Sequence, residues 1–325
     1  MTYNKEINQM KPGDIVQNFF LIKSVECKTS NNGKKYLDIV LSDRTGELNA
    51  KLWECSQEDE ETYAKHVLVK IQGSVAEWQS RIQLRIEKIR PVNSSDGVDI
   101  GNFVPVAPQP AELMYTTVLQ YISKIKNSDM QNIVNHIVSE KKDKLLLYPA
   151  AKQNHHAVRS GLLYHISTML AMGEKVSEIY QGLNHDLLFA GIILHDIAKV
   201  DEMDAGDLGI VADYTLEGEL LGHIIQGIKL IDRAARDVGA DEEVSMLLQH
   251  MILTHHYEPE FGSPKRPMIP EGEILHYLDI IDARMFDMQK ALSNTQSGNL
   301  SDKIWVLHNR KLYKATCSGK TDEGC

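Results

Sequence analysis

A multi-domain α+β chain, with a small β-barrel followed by an all-α bundle, is the fold class this 325-residue sequence predicts. Three observations predict it. Up to Val92, short runs of β-branched and aromatic residues alternate with polar ones between glycine turns. A stretch rich in proline and glycine, "VNSSDGVDIGNFVPVAPQP", then interrupts regular structure. From Ala111 onward the apolar residues recur at helical spacing.

The elements follow in order. "IVQNFFLIKSVECKT" reads as a strand, "NNGKK" as a turn, and "YLDIVLSD" and "RTGELNAKLW" as two alternating strands. "SQEDEETYAKH" is polar and acidic, and reads as a short helix or loop. "VLVKIQGSVAEW" and "RIQLRIEKIRPV" are two more strands, turning at "QS". Five strands with a helix between the third and fourth is the order of an OB-type barrel. The expected domains are 1–92 for the barrel, 93–127 for a Pro-rich linker and connecting helix, and 128–325 for the helical domain. Leu113, Val118, Ile122 and Ile125 support a first helix, and Met130, Ile133, Val134, Ile137 and Val138 a second. Further helices are expected at about 155–180, 184–203, 215–238, 241–256 and 270–292. "KIWVLHNRKLYKA" is a candidate edge strand.

Composition narrows the function. Hydrophobic residues make up 42% of the chain, enough for a sizeable core. No apolar run approaches the ~18–20 residues of a membrane helix. The N-terminus lacks the apolar stretch of a signal peptide. Cys27, Cys55, Cys317 and Cys325 are scattered and form no CxxC pair, so neither a disulfide framework nor a cysteine zinc site is expected. A reducing, cytoplasmic setting fits that usage. Through Val92 there are 14 Lys+Arg against 13 Asp+Glu; beyond it there are 21 against 32, for a total of -10. An acidic second part does not suggest non-specific duplex binding, and suits carboxylates offset by bound metal.

The chemistry centres on "IILHDIAKV", where His195, Asp196 and Lys199 interrupt an apolar helical run. A buried carboxylate without a partner is expensive, and a divalent cation removes that cost. A single His-Asp pair arises by chance, but here it has company. His165 lies in "SGLLYHISTML", His223 in "GELLGHIIQGI", His255 and His256 end "MLLQHMILTHH", and Asp282 lies in "LHYLDIIDARM". Four apolar helices each carrying a ligand-type residue can hold one or two metals at the centre of a bundle.

The order H…HD…H…HH…D resembles the HD-domain metal-dependent phosphohydrolases. With the barrel ahead of it, nearly the whole chain resembles the YhaM-type 3′→5′ exoribonucleases of Gram-positive bacteria; "HHAVRSGLLYH", "LHDIAKV", "GELLGHI" and "LHYLDIIDARM" carry the likeness. The resemblance implies a basic metal site of His165, His195, Asp196 and Asp282. It implies a second site completed by His223 and one of His255 and His256, with Asp196 as the bridge. The implied cofactor is a pair of divalent ions, Mn²⁺ by likeness, although Fe, Co and Zn suit the same ligands. Two such ions ~3.5–4 Å apart neutralise phosphodiester oxygens and acidify a water. Lys199, on the ligand face, is a candidate to neutralise a phosphate oxygen, with a plain salt bridge to Asp196 as the alternative. His156 and Arg159 are candidate phosphate contacts, with a cap or core hydrogen bond as the rival. Lys265 and Arg266 form a basic loop pair suited to guiding a polyanion, or simply solvated.

OB-type barrels stack bases of single strands on aromatics beside a basic groove. Phe19, Phe20, Tyr36, Trp53 and Trp78 are candidates, with Lys34, Lys35, Lys51, Arg81 and Arg85; Tyr36 and Trp78 lie near turns and are the better choices for exposure. The leading expectation is a metal-dependent 3′→5′ exonuclease of single-stranded RNA, and also of DNA, with polarity implied by the resemblance alone. The alternatives are a phosphodiesterase or phosphatase of small nucleotides, and a catalytically silent strand-binding protein. No membrane partner is expected, and a homo-oligomer is allowed.

Overall fold

The computed structural model describes residues 4–79, 81–153 and 155–317. Ser80, half of the expected hairpin turn, and Cys325 lie outside the described residues. The chain divides at Val106 and Ala107 into two units.

The first unit is a closed five-stranded barrel. Its strands are β1 (Ile15–Thr29), β2 (Lys35–Asp43), β3 (Gly46–Trp53), β4 (Leu68–Trp78) and β5 (Arg81–Pro91), with helix α1 (Gln57–Thr62) between β3 and β4. The barrel order is β1-β2-β3-β5-β4, closed by β4 pairing back onto β1. β3 and β5 run parallel and all other pairs are antiparallel. Alternation decides the faces. Leu37, Ile39 and Leu41 of β2 are buried with Phe20, Ile71 and Leu84, while Tyr36, Asp38 and Val40 point outward. Ser56 and Asp59 form a reciprocal capping box that starts α1.

The second unit is helical: α2 (Ala111–Lys124), α3 (Ser128–Glu140), α4 (Lys142–Leu145), α5 (Gly161–Ile179), α6 (His185–Leu194), α7 (Lys199–Glu202), α8 (Leu216–Val238), α9 (Glu242–Thr254) and α10 (Pro270–Ser293). A short hairpin, β6 (Met203–Ala205) with β7 (Val211–Tyr214), follows α7. α6 is the axis of the bundle. Every residue from Leu187 to Leu194 is buried, which is how a helix apolar on all sides must sit. α2, α3, α5, α9 and α10 all pack against it. Helix α2, assigned by sequence to the connecting segment, packs into this core through Met114, Tyr115, Val118 and Ile122.

Three local expectations change. The predicted helix at about 184–203 is broken: α6 stops at Leu194, residues 195–198 form tight turns, and α7 begins at Lys199. The helix expected from about 155 begins at Gly161, where a Cβ would come within 2.0 Å of the His156 carbonyl oxygen. Only a backbone without a side chain lets the His155–His156 turn lie against α5. The segment "KIWVLHNRKLYKA" holds isolated bridges, Ile304 with Arg310 and Leu300 with Tyr313, and no ladder. Among the described residues no helix is long and apolar enough to cross a membrane.

Candidate metal centre

The ligand-type side chains arrive from five separate places in the helical unit. His165 is in the second turn of α5 and fully buried. His195 and Asp196 occupy the break after α6 and are also buried. His223 follows Gly222, whose φ of 68° interrupts α8. That positive φ favours glycine, and it frees the His223 N–H from the helix to donate to Glu202 Oε1 at 3.0 Å. His255 and His256 end α9, and α10 supplies Asp279 and Asp282.

Hydrogen bonds set the tautomers. A carbonyl only accepts, so His195 Nδ1 donates to Ile192 O at 2.8 Å and His255 Nδ1 to Ile252 O at 2.7 Å. His256 Nδ1 donates to Phe261 O at 2.5 Å. His165 Nδ1 lies 2.7 Å from Asp282 Oδ2, and His223 Nδ1 lies 3.1 Å from Glu202 Oε1. In every neutral ring the Nε2 lone pair is left free, the arrangement in which protein imidazoles bind metal.

Those free atoms converge. His165 Nε2 is 3.2 Å from His195 Nε2 and 3.4 Å from Asp279 Oδ1. Asp196 Oδ2 is 3.4 Å from His195 Nε2 and 3.9 Å from His165 Nε2. Its other oxygen, Oδ1, is 3.5 Å from His223 Nε2 and 3.7 Å from His255 Nε2. Among the described residues of the helical unit three sets of potential ligands result: His165, His195 and Asp279; Asp196, His223, His255 and His256; and, on the far side of the His165 ring, His156, His165 and Asp282. Asp196 Oδ1, His223 Nε2 and His255 Nε2 are buried without a hydrogen-bond partner. Two facing lone pairs, as on His165 and His195, require a proton or a cation between them. Orphaned buried acceptors pointing at one another fit a divalent ion and are costly without one.

The electrostatics agree. Burial pushes the Asp196 carboxyl up, but the charges of Lys199 and His195 hold it well below the usual range. Burial likewise opposes Asp279, yet His165 keeps it well below the usual carboxylate range. Burial pulls His165 down, and the Asp279 and Asp282 carboxylates outweigh that and raise it to about 9. His256 is pushed down to about 3 by burial and by His255, so it stays a neutral donor.

Sequence reasoning and geometry part company at several positions. Asp282 bonds His165 Nδ1 and His156 Nε2, at 2.7 and 2.6 Å, so it holds the ring from its far nitrogen. Asp279, overlooked in the sequence, is the carboxylate beside His165 Nε2; its only trace is a second aspartate three residues before Asp282 in "LHYLDIIDARM". His156 is 1% exposed and packs on Phe286 at 4.1 Å between ring centroids, so it is no substrate contact. Arg159 donates to the Asp207 carbonyl oxygen and does not line the cavity described next. His255 and His256 both join the cluster. Lys199 Nζ is 2.7 Å from Asp196 Oδ2, so the salt bridge exists, and Lys199 also lines the cavity.

That cavity, about 560 Å³, opens over the cluster. Beside Lys199, His223, His256 and Asp279 it is lined by His155, Tyr257, His276 and Arg284. Tyr257 and His276 stack at 4.6 Å between ring centroids. Lys265 and Arg266 are exposed outside the lining; Arg266 lies 4.9 Å over the Tyr257 ring and 3.5 Å from Glu258.

On the barrel, Tyr36 pairs with Trp53 across β2 and β3, their rings 4.7 Å apart. Lys51 Nζ lies 5.1 Å from the Tyr36 ring and 5.6 Å from the Trp53 ring. Trp53 is 42% exposed and Trp78 66%, whereas Phe20 is core. Trp78 pairs with Arg81 at the other hairpin. An aromatic pair with a lysine on the outer β2–β3 face is the arrangement that receives stacked bases in OB folds.

Barrel and cluster together define a nucleic-acid-binding OB fold joined to an HD-domain metal-dependent phosphohydrolase. Residues 21–92 match the family model for the OB-fold nucleic acid binding domain, and residues 162–284 match that for the HD domain. Over 304 residues the chain is 41% identical to "3'-5' exoribonuclease YhaM" of Bacillus subtilis, covering 94% of this chain and 96% of the relative. The protein of the same name from Bacillus velezensis matches with equal identity and coverage. The chain belongs to the YhaM 3′-5′ exoribonuclease family.

Proposed function

We propose that this protein shortens single-stranded RNA from its 3′ end by metal-dependent phosphodiester hydrolysis, and that it also accepts single-stranded DNA. One observation carries the reading: Asp196 is buried between two groups of imidazoles, with one oxygen toward each, and its neighbours Lys199, His223, His256 and Asp279 line a cavity large enough for a nucleotide. In this proposal His165, His195, Asp196 and Asp279 hold one divalent ion. Asp196, His223, His255 and His256 hold a second, and Mn²⁺ is the expected metal. When bound, the ions supply a Lewis acid for the phosphoryl oxygens and an acidified water.

The remaining steps belong to the chain itself. Lys199 fixes Asp196 Oδ2 and presents its ammonium to the cavity, where it offsets charge on a non-bridging phosphate oxygen. Arg284 lines the same cavity and enters no ion pair among the described residues, so its guanidinium is available to a second phosphate oxygen. The Tyr257–His276 stack offers a flat wall for the terminal base. Tyr36, Trp53 and Lys51 hold the strand on the barrel. Lys265 and Arg266 act at longer range, drawing the polyanion in.

The test uses purified full-length protein with 5′-labelled single-stranded RNA and Mn²⁺. A ladder that shortens from the 3′ end and stops with EDTA supports the proposal. Cleavage confined to cyclic dinucleotides, or strand binding without turnover in any divalent metal, overturns it.

A further inference from the structure

The four cysteines look unrelated in sequence, yet the fold brings two of them to one place. Cys27 lies on β1 opposite Leu37 of β2. Cys55 follows two residues after Trp53, the end of β3, and packs against the barrel core. Glu60 projects from α1, whose start is fixed by the Ser56–Asp59 capping box. The two sulfurs and a Glu60 carboxylate oxygen all lie within 4.8 Å of one another. Both thiols are free.

We propose that Cys27, Cys55 and Glu60 form a zinc site on the barrel, distinct from the histidine–aspartate cluster of the helical unit. The donor set selects the metal class. Two thiolates favour zinc over the hard cations Mg²⁺, Ca²⁺ and Mn²⁺. Zinc takes four ligands, and three from protein leave one position for water. Zn–S bonds of about 2.3 Å place two sulfurs roughly 3.8 Å apart in a tetrahedron, and the two sulfurs here already lie within 4.8 Å of each other.

Charge is also provided for. Two thiolates and a carboxylate on a divalent ion sum to a net charge of −1. Lys35 donates to Glu60 Oε1 at 2.8 Å beside the pair. Its ammonium is held above the usual lysine value, first by that hydrogen bond and then by the Glu60 charge. Metal binding releases the two thiol protons to solvent.

The location gives the site a purpose. Lys28, next to Cys27, pairs with Tyr36, and Tyr36 pairs with Trp53. An ion held by Cys27, Cys55 and Glu60 ties β1, the end of β3 and α1 together beside the aromatic pair. It thereby braces the surface on which strand bases would stack.

The histidine–aspartate cluster contains no sulfur, which makes the two sites spectroscopically separable. Full-length protein is stripped with chelator and reloaded with Co²⁺. The expected result is a near-ultraviolet thiolate-to-cobalt charge-transfer band that Zn²⁺ abolishes by displacement. The band should vanish in Cys27→Ser and in Cys55→Ser and persist in Asp196→Ala. Cys27 is exposed and Cys55 only half-buried, so serine leaves the barrel folded, as far-ultraviolet circular dichroism would check. No band, a band that survives either cysteine substitution, or a Cys27–Cys55 disulfide in protein isolated without reductant would overturn the site. Glu60→Gln should keep the band and surrender Co²⁺ to a competing chelator at lower concentration; unchanged retention removes Glu60 from it.

Discussion

Asp282 Oδ2 and His165 Nδ1 are joined at 2.7 Å, and this contact leaves the ring's other nitrogen beside His195 and Asp279. Asp282 also takes His156 Nε2 at 2.6 Å, so one buried carboxylate locks two rings. The two aspartates of α10 therefore have separable tasks. Asp279→Asn should remove Mn²⁺ binding at the His165–His195 group. Asp282→Asn should retain that binding with affinity lowered roughly 10–100-fold, the usual cost of losing an orienting partner. Calorimetric titration with Mn²⁺ distinguishes them, and wild-type affinity in Asp279→Asn would reverse the assignment.

Among the described residues, Asp196 is the carboxylate that lies within 4 Å of both groups of imidazoles. Asp196→Ala should abolish cleavage of labelled single-stranded RNA while strand affinity stays within about twofold, because the aromatic platform is on the barrel. Residual cleavage near the wild-type rate would be incompatible with the proposed chemistry.

Metal uptake should release a proton. In the metal-free protein the Asp279 and Asp282 carboxylates overcome burial and raise His165 to about 9, so the ring is charged at pH 7. A raised pKa stabilises the metal-free fold fully below the unfolded value near 6.5, and that contribution fades as pH climbs through about 9. Binding a cation needs the neutral ring. Titrations at pH 7 in buffers of different ionisation enthalpy should therefore report about one proton released from His165, falling toward zero above pH 9. A proton count independent of pH across this window would contradict the scheme.

Strand binding should depend on the Tyr36–Trp53 pair. Trp53→Ala removes a half-exposed indole packed at a tilt against Tyr36 and should weaken single-stranded RNA binding by about 1–3 kcal/mol. Lys51→Ala should add a shallower salt dependence, since one phosphate-directed charge is lost. Fluorescence anisotropy at several salt concentrations measures both effects. Equal affinity for Trp53→Ala would shift attention to Trp78 and Arg81.

Gly161→Ala tests the turn that delivers His155 and His156. Its new Cβ meets the His156 carbonyl oxygen at 2.0 Å, a clash with backbone that no rotamer relieves. We expect about 1–3 kcal/mol of destabilisation, as for overpacked cores, visible as a lowered Tm. The wild-type Tm in this variant would mean that the turn yields freely.

Much of this molecule is legible in the linear chain. Alternation with period two in "YLDIVLSD" and helical spacing from Ala111 onward are local properties, because the backbone geometry of strand and helix imposes them. Apolar helices interrupted by His165, His195, Asp196 and His223 likewise announce a shared polar centre, since each of those side chains needs a partner when buried. What required the tertiary structure is direction and proximity. Asp279 and Asp282 are three apart on one helix and alike in sequence; only the position of His165 against α10 tells which stands beside Nε2 and which grips Nδ1. The break after Leu194, the role of Arg284 as cavity wall and the meeting of Cys27 with Cys55 have no local signature. Each arises where segments distant in the chain pack together, and spacing along one segment carries no record of the angle at which another arrives.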